Sequence, residues 1–130
     1  MWRILYVEDS SDSLELLSYV LNDSNEEFVV EGAATADEAI EKISSNPFDL
    51  YILDRWMPGM DGTELCQWIR GKGDLSPIVF YSGAVREADK AEAFDAGADQ
   101  YLTKPTDLFR IEEVVRELLK ESRAASYAGV

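Results

Sequence analysis

The chain has 130 residues, of which 46% are hydrophobic and 29% charged, a composition typical of one globular domain rather than of a disordered chain. Its net charge of −14 opposes the phosphates of nucleic acids, and the absence of histidine excludes histidine bases, histidine zinc sites and an internal phosphohistidine relay. No apolar stretch approaches the ~18 residues that a membrane span requires, so we expect this chain to bind neither nucleic acid nor membrane.

The first residues run directly into a strand pattern, without the apolar segment of a secretory signal. The single cysteine, Cys66, excludes an internal disulfide and is compatible with a reducing compartment. We therefore expect a cytoplasmic location.

Five short apolar runs alternate with helix-like segments along the chain. The runs are residues 4–7, 28–30, 50–53, 78–81 and 101–102. Between them, residues 35–38 have the pattern of a capping box, and Gly97 is placed to end an alanine-rich helix. The last helix is predicted to carry four apolar residues on one face and to end near Glu121. These four residues are Leu108, Ile111, Val115 and Leu118.

Successive strand–helix units predict a parallel sheet with helices on both faces, because parallel strands need crossover connections and these are right-handed. We therefore predict an α/β fold with a doubly wound five-stranded parallel sheet, (βα)5, of the flavodoxin-like type with strand order 2-1-3-4-5. We assign residues 1–121 to this domain and 122–130 to a short tail or the start of a linker.

Polar residues stand at the carboxyl ends of four of the five strands. Glu8 and Asp9 follow the first strand, Asp54 ends the third, Ser82 ends the fourth and Lys104 follows the fifth. In the predicted strand order these ends surround one crevice, which is where open α/β sheets bind their ligands.

Three carboxylates in one crevice repel one another, so they require a divalent cation or a raised pKa. Oxygen ligands alone favour Mg²⁺, which takes few protein ligands and leaves a position for a phosphoryl oxygen. Lys104 would neutralise a second such oxygen, and the Ser82 hydroxyl would hydrogen-bond a third. Asp54 is then placed as a nucleophile toward phosphorus.

In their sequence context these residues closely resemble the receiver domain of two-component response regulators. The matching segments are LYVED at 5–9, LDRWMPGMDG at 53–62, YSGA at 81–84, GAD at 97–99 and YLTKP at 101–105. The resemblance extends over about residues 2–120, and five spaced motifs together are far more specific than any one of them.

The resemblance implies that Asp54 is the phospho-acceptor. It also implies that Asp9 and Asp54 bind Mg²⁺ directly, that Glu8 acts through water, and that the backbone carbonyl of Trp56 is a further ligand. The neighbouring residues Asp61 and Gly62 are expected to form the turn and the helix start instead of binding the metal.

The resemblance further assigns Ser82 and Lys104 to sensing the phosphoryl group. Tyr101 corresponds to the switch aromatic residue, which moves inward as Ser82 is drawn toward the phosphate. The Lys104–Pro105 bond is cis in the family, which would direct the lysine into the site.

The function implied is a phosphorylation-controlled signalling switch. A sensor histidine kinase or a phosphotransfer protein would donate the phosphoryl group to Asp54. An effector domain, an effector protein or a second copy of the chain would then bind the face made by the fourth helix, the fifth strand and the fifth helix. Such a domain catalyses only its own phosphorylation and dephosphorylation, so we expect a signalling protein and not an enzyme.

Three alternatives have less support. A pseudo-receiver would bind partners without phosphate, but the three acids, Ser82 and Lys104 are all retained. A haloacid-dehalogenase-like Mg²⁺ phosphatase also has an aspartate nucleophile, yet it needs an acid two residues later, where this chain has Trp56. A flavodoxin-like FMN binder needs a phosphate loop after the first strand, where residues 8–12 are strongly acidic.

Two positions near the acceptor are apolar, although polar residues there would assist hydrolysis. Trp56 is large enough to cover a phosphoryl group on Asp54, and Ala84 offers no group to orient a water molecule. We hypothesise slow loss of phosphate, with a role for Trp56 as an exposed loop residue or partner contact as the alternative.

Overall fold

The structure is a computed structural model that describes residues 1–24 and 27–128. Within these residues, five strands alternate with five helices. They are β1 (Trp2–Val7), α1 (Ser11–Ser24), β2 (Phe28–Ala33), α2 (Ala36–Ser45), β3 (Leu50–Leu53), α3 (Gly62–Gly71), β4 (Ile78–Ser82), α4 (Glu87–Ala96), β5 (Gln100–Thr103) and, after a 3₁₀ turn at Leu108–Arg110, α5 (Ile111–Ala128). The strands pair in parallel in the order β2-β1-β3-β4-β5, which confirms the predicted fold class.

The register of the sheet brings several strand ends to the same level. Val7 of β1 pairs with Leu53 of β3, so the two acidic residues that follow them leave the sheet side by side. On the other side of β3, Ser82 of β4 pairs with Thr103 of β5. The polar residues singled out in the sequence therefore gather at one edge of the sheet.

Helices cover both faces of the sheet and form two apolar layers. Ile4 and Tyr6 of β1 pack in the layer of α1 and α5, whereas Leu5 and Val7 pack in the layer of α2, α3 and α4. Because both faces are buried, the central strands need apolar side chains in both directions, and β3 and β4 consequently appear in the sequence as continuous apolar runs.

The starts of α3 and α2 were both expected from the sequence. The structure agrees fully at α3 and only in part at α2. Asp61 caps α3: its carboxylate accepts the Glu64 N–H at 3.0 Å, while the Glu64 carboxylate accepts the Asp61 N–H at 3.2 Å. At the start of α2, Thr35 accepts the Glu38 N–H at 3.1 Å as predicted. The Glu38 carboxylate, however, extends one residue further and accepts the Ala34 N–H at 2.8 Å.

The last helix is longer than predicted. We expected it to end near Glu121, but α5 has 18 residues and continues to Ala128. Residues 122–128 include three alanines and an arginine, which favour helix, and glycine does not appear until position 129. Of the predicted tail, residues 129 and 130 lie outside the described part of the chain. No helix in the described residues is both long and apolar enough to cross a membrane.

The buried stripe of α5 also differs by one position from the prediction. Among residues 111–123 of this helix, Ile111, Val115 and Leu119 are buried, each four after the last, whereas Leu118 is only partly buried beside them. Leu108 packs in the same layer but belongs to the 3₁₀ turn. The spacing of four residues from Ile111 to Val115, continued once more, leads to Leu119 and not to Leu118.

Gly62 lets the start of α3 lie against the backbone of Asp54. A Cβ atom at position 62 would lie 2.1 Å from the Asp54 carbonyl oxygen and 2.9 Å from the Phe80 ring. The Gly62 N–H also donates to the Arg55 carbonyl at 3.1 Å, which closes the loop between β3 and α3. Only glycine allows this approach without displacing the backbone.

We predict that Gly62→Ala lowers the free energy of unfolding by about 1–3 kcal/mol, because the added methyl group overpacks a buried backbone contact. Gly71→Ala is the matched control in the same helix, since a Cβ there meets nothing within 4 Å. The control should be neutral or stabilise the fold by up to about 1 kcal/mol. Urea unfolding measures both variants, and equal effects would contradict the importance of the close approach.

Candidate functional site

Three carboxylates meet at the edge of the sheet where β1 and β3 end. Glu8 is 2% exposed and Asp54 7%, whereas Asp9 faces solvent. Each contributes one oxygen to a group whose members lie within 4.8 Å of one another. The structure thus brings together the three acids that the sequence placed at these strand ends.

Lys104 compensates the charge of the two buried acids. Its Nζ donates to Asp54 Oδ2 at 2.9 Å and also to the Glu8 carboxylate. Its backbone N–H donates to the Ser82 carbonyl at 3.0 Å, so the hydrogen bonding between β4 and β5 continues to Lys104. Burial acts to lower the pKa of Lys104, but hydrogen bonds with Glu8 and Asp54 outweigh burial and raise the pKa, so the group is an ammonium.

The two buried carboxylates have opposite pKa shifts. Burial, together with the neighbouring Asp54 carboxylate, raises the pKa of Glu8 to about 7, although Lys104 opposes this. Burial also acts to raise the pKa of Asp54, but hydrogen bonds with Glu8, Lys104 and Ser82 outweigh it and hold the pKa below its ordinary value. Of the two, Asp54 is therefore the carboxylate that favours the anionic form, which a nucleophile requires.

A residue that the sequence did not single out holds the loop that carries Lys104. The Asp107 carboxylate accepts the Thr103 N–H at 2.8 Å, and the Asp107 N–H donates to the Thr103 carbonyl at 2.9 Å. The Lys104–Pro105 peptide bond enclosed by these contacts is cis, as the resemblance implied. An aspartate two residues after a proline is a common turn former, and this signal could have identified Asp107.

Ser82 and Tyr101 both bind the backbone of Ala84. Ser82 is fully buried, and its Oγ accepts the Ala84 N–H at 3.2 Å. Tyr101 is partly buried, its ring stacks on Phe80 with 5.8 Å between centroids, and its hydroxyl donates to the Ala84 carbonyl. Ser82 does not cap α4, which begins after Arg86. The two residues proposed to switch are thus joined through one peptide segment.

The backbone of Trp56 is hydrogen-bonded to the Asp54 carboxylate, and much of its side chain is exposed to solvent. Its N–H donates to Asp54 Oδ1 at 3.3 Å, and the residue is 53% exposed. The role of its carbonyl as a metal ligand stays a prediction. Arg55, which precedes it, is buried and pairs with Glu92 of α4. The sequence did not indicate this pair, because a lone arginine after a strand usually lies at the surface.

The chemistry of the donor set fits Mg²⁺. The cluster of Glu8, Asp9 and Asp54 offers carboxylate oxygens, which are the hard ligands that Mg²⁺ prefers. Asp9 is open to solvent, so a cation bound there could keep several water molecules.

A five-stranded doubly wound sheet with an acidic cluster and a lysine at its strand ends defines a class of α/β signalling domains, and comparison with known proteins identifies which one. Residues 4–116 match the response regulator receiver domain. The chain therefore belongs to the receiver domain family of two-component response regulators.

Relatives and solved structures support this assignment. The chain is 35% identical to the transcriptional regulatory protein ResD of Bacillus subtilis (strain 168) over 125 residues, covering 96% of this chain and 51% of that protein. It is 37% identical to the regulatory protein VanR of Enterococcus faecium over 129 residues, covering 98% of this chain and 53% of that protein. The crystal structure of a CheY-like response regulator receiver domain protein from Methanospirillum hungatei JF-1 superimposes with a TM-score of 0.88 at 30% identity, covering 96% of this chain and 98% of that one. The chain thus spans about half the length of these curated relatives.

We predict that Asp9→Asn weakens Mg²⁺ binding by about tenfold or more, since an amide replaces one of the three carboxyl groups of the cluster. Asp12→Asn is the control, because Asp12 is an exposed acid near the same strand end but outside the cluster. Calorimetric titration with MgCl₂ measures both affinities. A loss of the same size in both variants would mean that general surface charge, and not the cluster, attracts the cation.

Proposed function

We propose that this chain is a phosphorylation-controlled signalling switch whose phospho-acceptor is Asp54. The observation that carries the proposal is the position of the Lys104 ammonium, 2.9 Å from an anionic Asp54 carboxylate inside a three-acid cluster. A nucleophile, a cation site and a fixed positive charge are the parts that phosphoryl transfer needs, because its catalysis is mostly positioning and charge stabilisation.

The transfer itself needs a phosphohistidine donor outside these 130 residues, since they contain no histidine. In the proposed step an Asp54 oxygen attacks the phosphorus of a phosphohistidine on a sensor histidine kinase or a phosphotransfer protein. The new bond joins Asp54 to phosphorus, and the phosphorus–nitrogen bond breaks with its electron pair going to the donor imidazole. Lys104 then pairs with an oxygen of the transferred group.

Asp9 and Asp54 would hold Mg²⁺ directly, with Glu8 acting through water and the Trp56 carbonyl as a further ligand. When bound, the cation would neutralise charge on the carboxylates and on the incoming phosphoryl oxygens. Asp9 is open to solvent for this purpose, and Asp54 would present its second oxygen to phosphorus.

The signal would leave the site through Ser82 and Tyr101. We propose that the Ser82 hydroxyl turns from the Ala84 N–H toward a phosphoryl oxygen, and that Tyr101 follows because it binds the same peptide segment. The face of α4, β5 and α5 then shifts between two populations. Apolar side chains exposed on or beside these elements support a role for this face in binding. They are Val85, Phe94 and Phe109, which are 51%, 45% and 82% exposed.

The partners proposed for this face are an effector domain or protein and, on phosphorylation, a second copy of the chain. The transcriptional role named for ResD belongs to a protein about twice as long. With a net charge of −14, this chain would bind no nucleic acid or membrane itself. We propose a cytoplasmic signalling protein that is not an enzyme for any other substrate.

The first test is the intact mass of the protein after incubation with acetyl phosphate and MgCl₂. We expect one added phosphoryl group in the wild type and none in Asp54→Asn or in the presence of EDTA. Asp61→Asn is the matched control, since Asp61 lies in the same loop but caps α3, a role that asparagine can also fill. It should be phosphorylated like the wild type.

The outcomes separate the candidate functions. An added phosphoryl group that persists in Asp54→Asn would mean that another residue is the phospho-acceptor. No adduct under any condition, including incubation with a phosphorylated histidine kinase, would favour a pseudo-receiver that binds partners constitutively.

We also predict that Trp56→Asn shortens the lifetime of the phosphorylated protein by up to about tenfold, which corresponds to about 1.4 kcal/mol in the barrier to hydrolysis. The reason is that a small polar side chain admits and orients water where the indole would shield phosphorus. The decay of the phosphorylated mass with time measures the lifetime. An unchanged lifetime would contradict the shielding role and leave Trp56 as a loop residue or partner contact.

A further inference from the structure

Arg55 connects the loop of the phospho-acceptor to helix α4. It directly follows Asp54 in the chain and is only 5% exposed. Its guanidinium lies over the Trp56 ring, with Cζ 5.3 Å from the ring centre. From the same position its Nη2 donates to the carboxylate of Glu92 on α4. One buried cation thus contacts the indole next to the acceptor and a helix of the proposed output face.

Glu92 forms the ion pair with Arg55, and the Asp89 carboxylate of the same helix interacts with the same charge without an ion pair in the described residues. The Nε and Nη1 groups of Arg55 are buried and have no hydrogen-bond partner within the described residues. A buried charge with unpaired N–H groups is unfavourable, and the loss of its anionic partner makes it more so. Without the Glu92 charge, the guanidinium is expected to turn toward water and leave the Trp56 ring.

Glu92 itself lies at the surface, with 58% of its side chain exposed, compared with 6% for Arg55. It makes no contact with the acidic cluster in the described residues. A change at Glu92 can therefore reach the acceptor through Arg55 and Trp56 without altering the groups that bind the cation or the phosphoryl group.

We propose that Arg55 and Glu92 are positioning residues that hold the Trp56 indole beside Asp54, so that helix α4 controls the lifetime of the aspartyl phosphate. The inference rests on the proposed function and deepens it. A partner that binds α4 and draws Glu92 away from Arg55 shortens the phosphorylated state, whereas a partner that leaves the pair intact preserves it. Because coupling between two sites is reciprocal, the arrangement around phosphorylated Asp54 in turn affects binding at α4.

The test compares rates of dephosphorylation in a set of variants. Glu92→Gln should accelerate the loss of phosphate by about twofold to fivefold, the range that one cation–π contact at an exposed site supplies. Asp95→Asn makes the same change of charge at an exposed position of the same helix and should leave the rate at the wild-type value. In the Trp56→Asn background, Glu92→Gln should have no additional effect, because the group that it positions is gone.

A Glu92→Gln protein that loses phosphate at the wild-type rate would overturn the proposal. So would an equal acceleration in the Trp56→Asn background, since the effect would then bypass the indole.

A second measurement examines the contact directly. The indole N–H signal of Trp56, assigned by its absence in Trp56→Asn, should shift in ¹H–¹⁵N spectra of Glu92→Gln and not of Asp95→Asn. If the wild type accepts no phosphate at all, the proposed function fails and control of the phosphate lifetime fails with it. The indole shift would then still show whether α4 positions Trp56, and an unmoved signal would overturn that as well.

Discussion

Repulsion between two buried carboxylates is the constraint on which the rest of the structure depends. Parallel pairing of β1 with β3 makes Glu8 and Asp54 neighbours at the edge of the sheet, where neither is well hydrated. The Lys104 ammonium relieves this repulsion, and it reaches both acids from the opposite side of β4. The register of β5 and the turn held by Asp107 matter because they determine where this ammonium lies. A strand order that placed β5 far from β1 and β3 would separate the charges that stabilise one another.

Much of the fold and of the candidate site could be predicted from the sequence, for identifiable reasons. β3 and β4 are buried on both faces, so they appear as uninterrupted apolar runs, and the strand order follows from the alternation with helices. Given that order, Glu8, Asp54 and Lys104 must lie at one edge. The sequence could not reveal the Arg55–Glu92 pair, because its two residues are separated by 37 positions and only the packing of α4 brings them together. The end of α5 was missed because residues 122–128 contain neither a stop signal nor an apolar stripe to extend.

The two halves of the site are held in different ways. On the side of β1 and β3, the Glu8 and Asp54 carboxyl groups are held by ion pairs with Lys104. On the side of β4 and β5, Ser82 and Tyr101 are held by hydrogen bonds, among them those to the Ala84 peptide groups. A hydrogen bond to a backbone group can be exchanged for one to a phosphoryl oxygen at little net cost, whereas a buried ion pair cannot be broken so easily. The second half is therefore the more adaptable one.

The close approach of Gly62 to the Asp54 carbonyl adds to this difference between the two halves of the site. With no side chain between them, the first turn of α3 lies directly against the backbone of the acceptor, and the hydrogen bond from Gly62 to Arg55 joins the loop to this turn. In the proposed switch, this contact would oppose a displacement of β3 toward α3 when negative charge is added at Asp54. The helices behind the acceptor would therefore stay in place while the opposite side of the crevice moves.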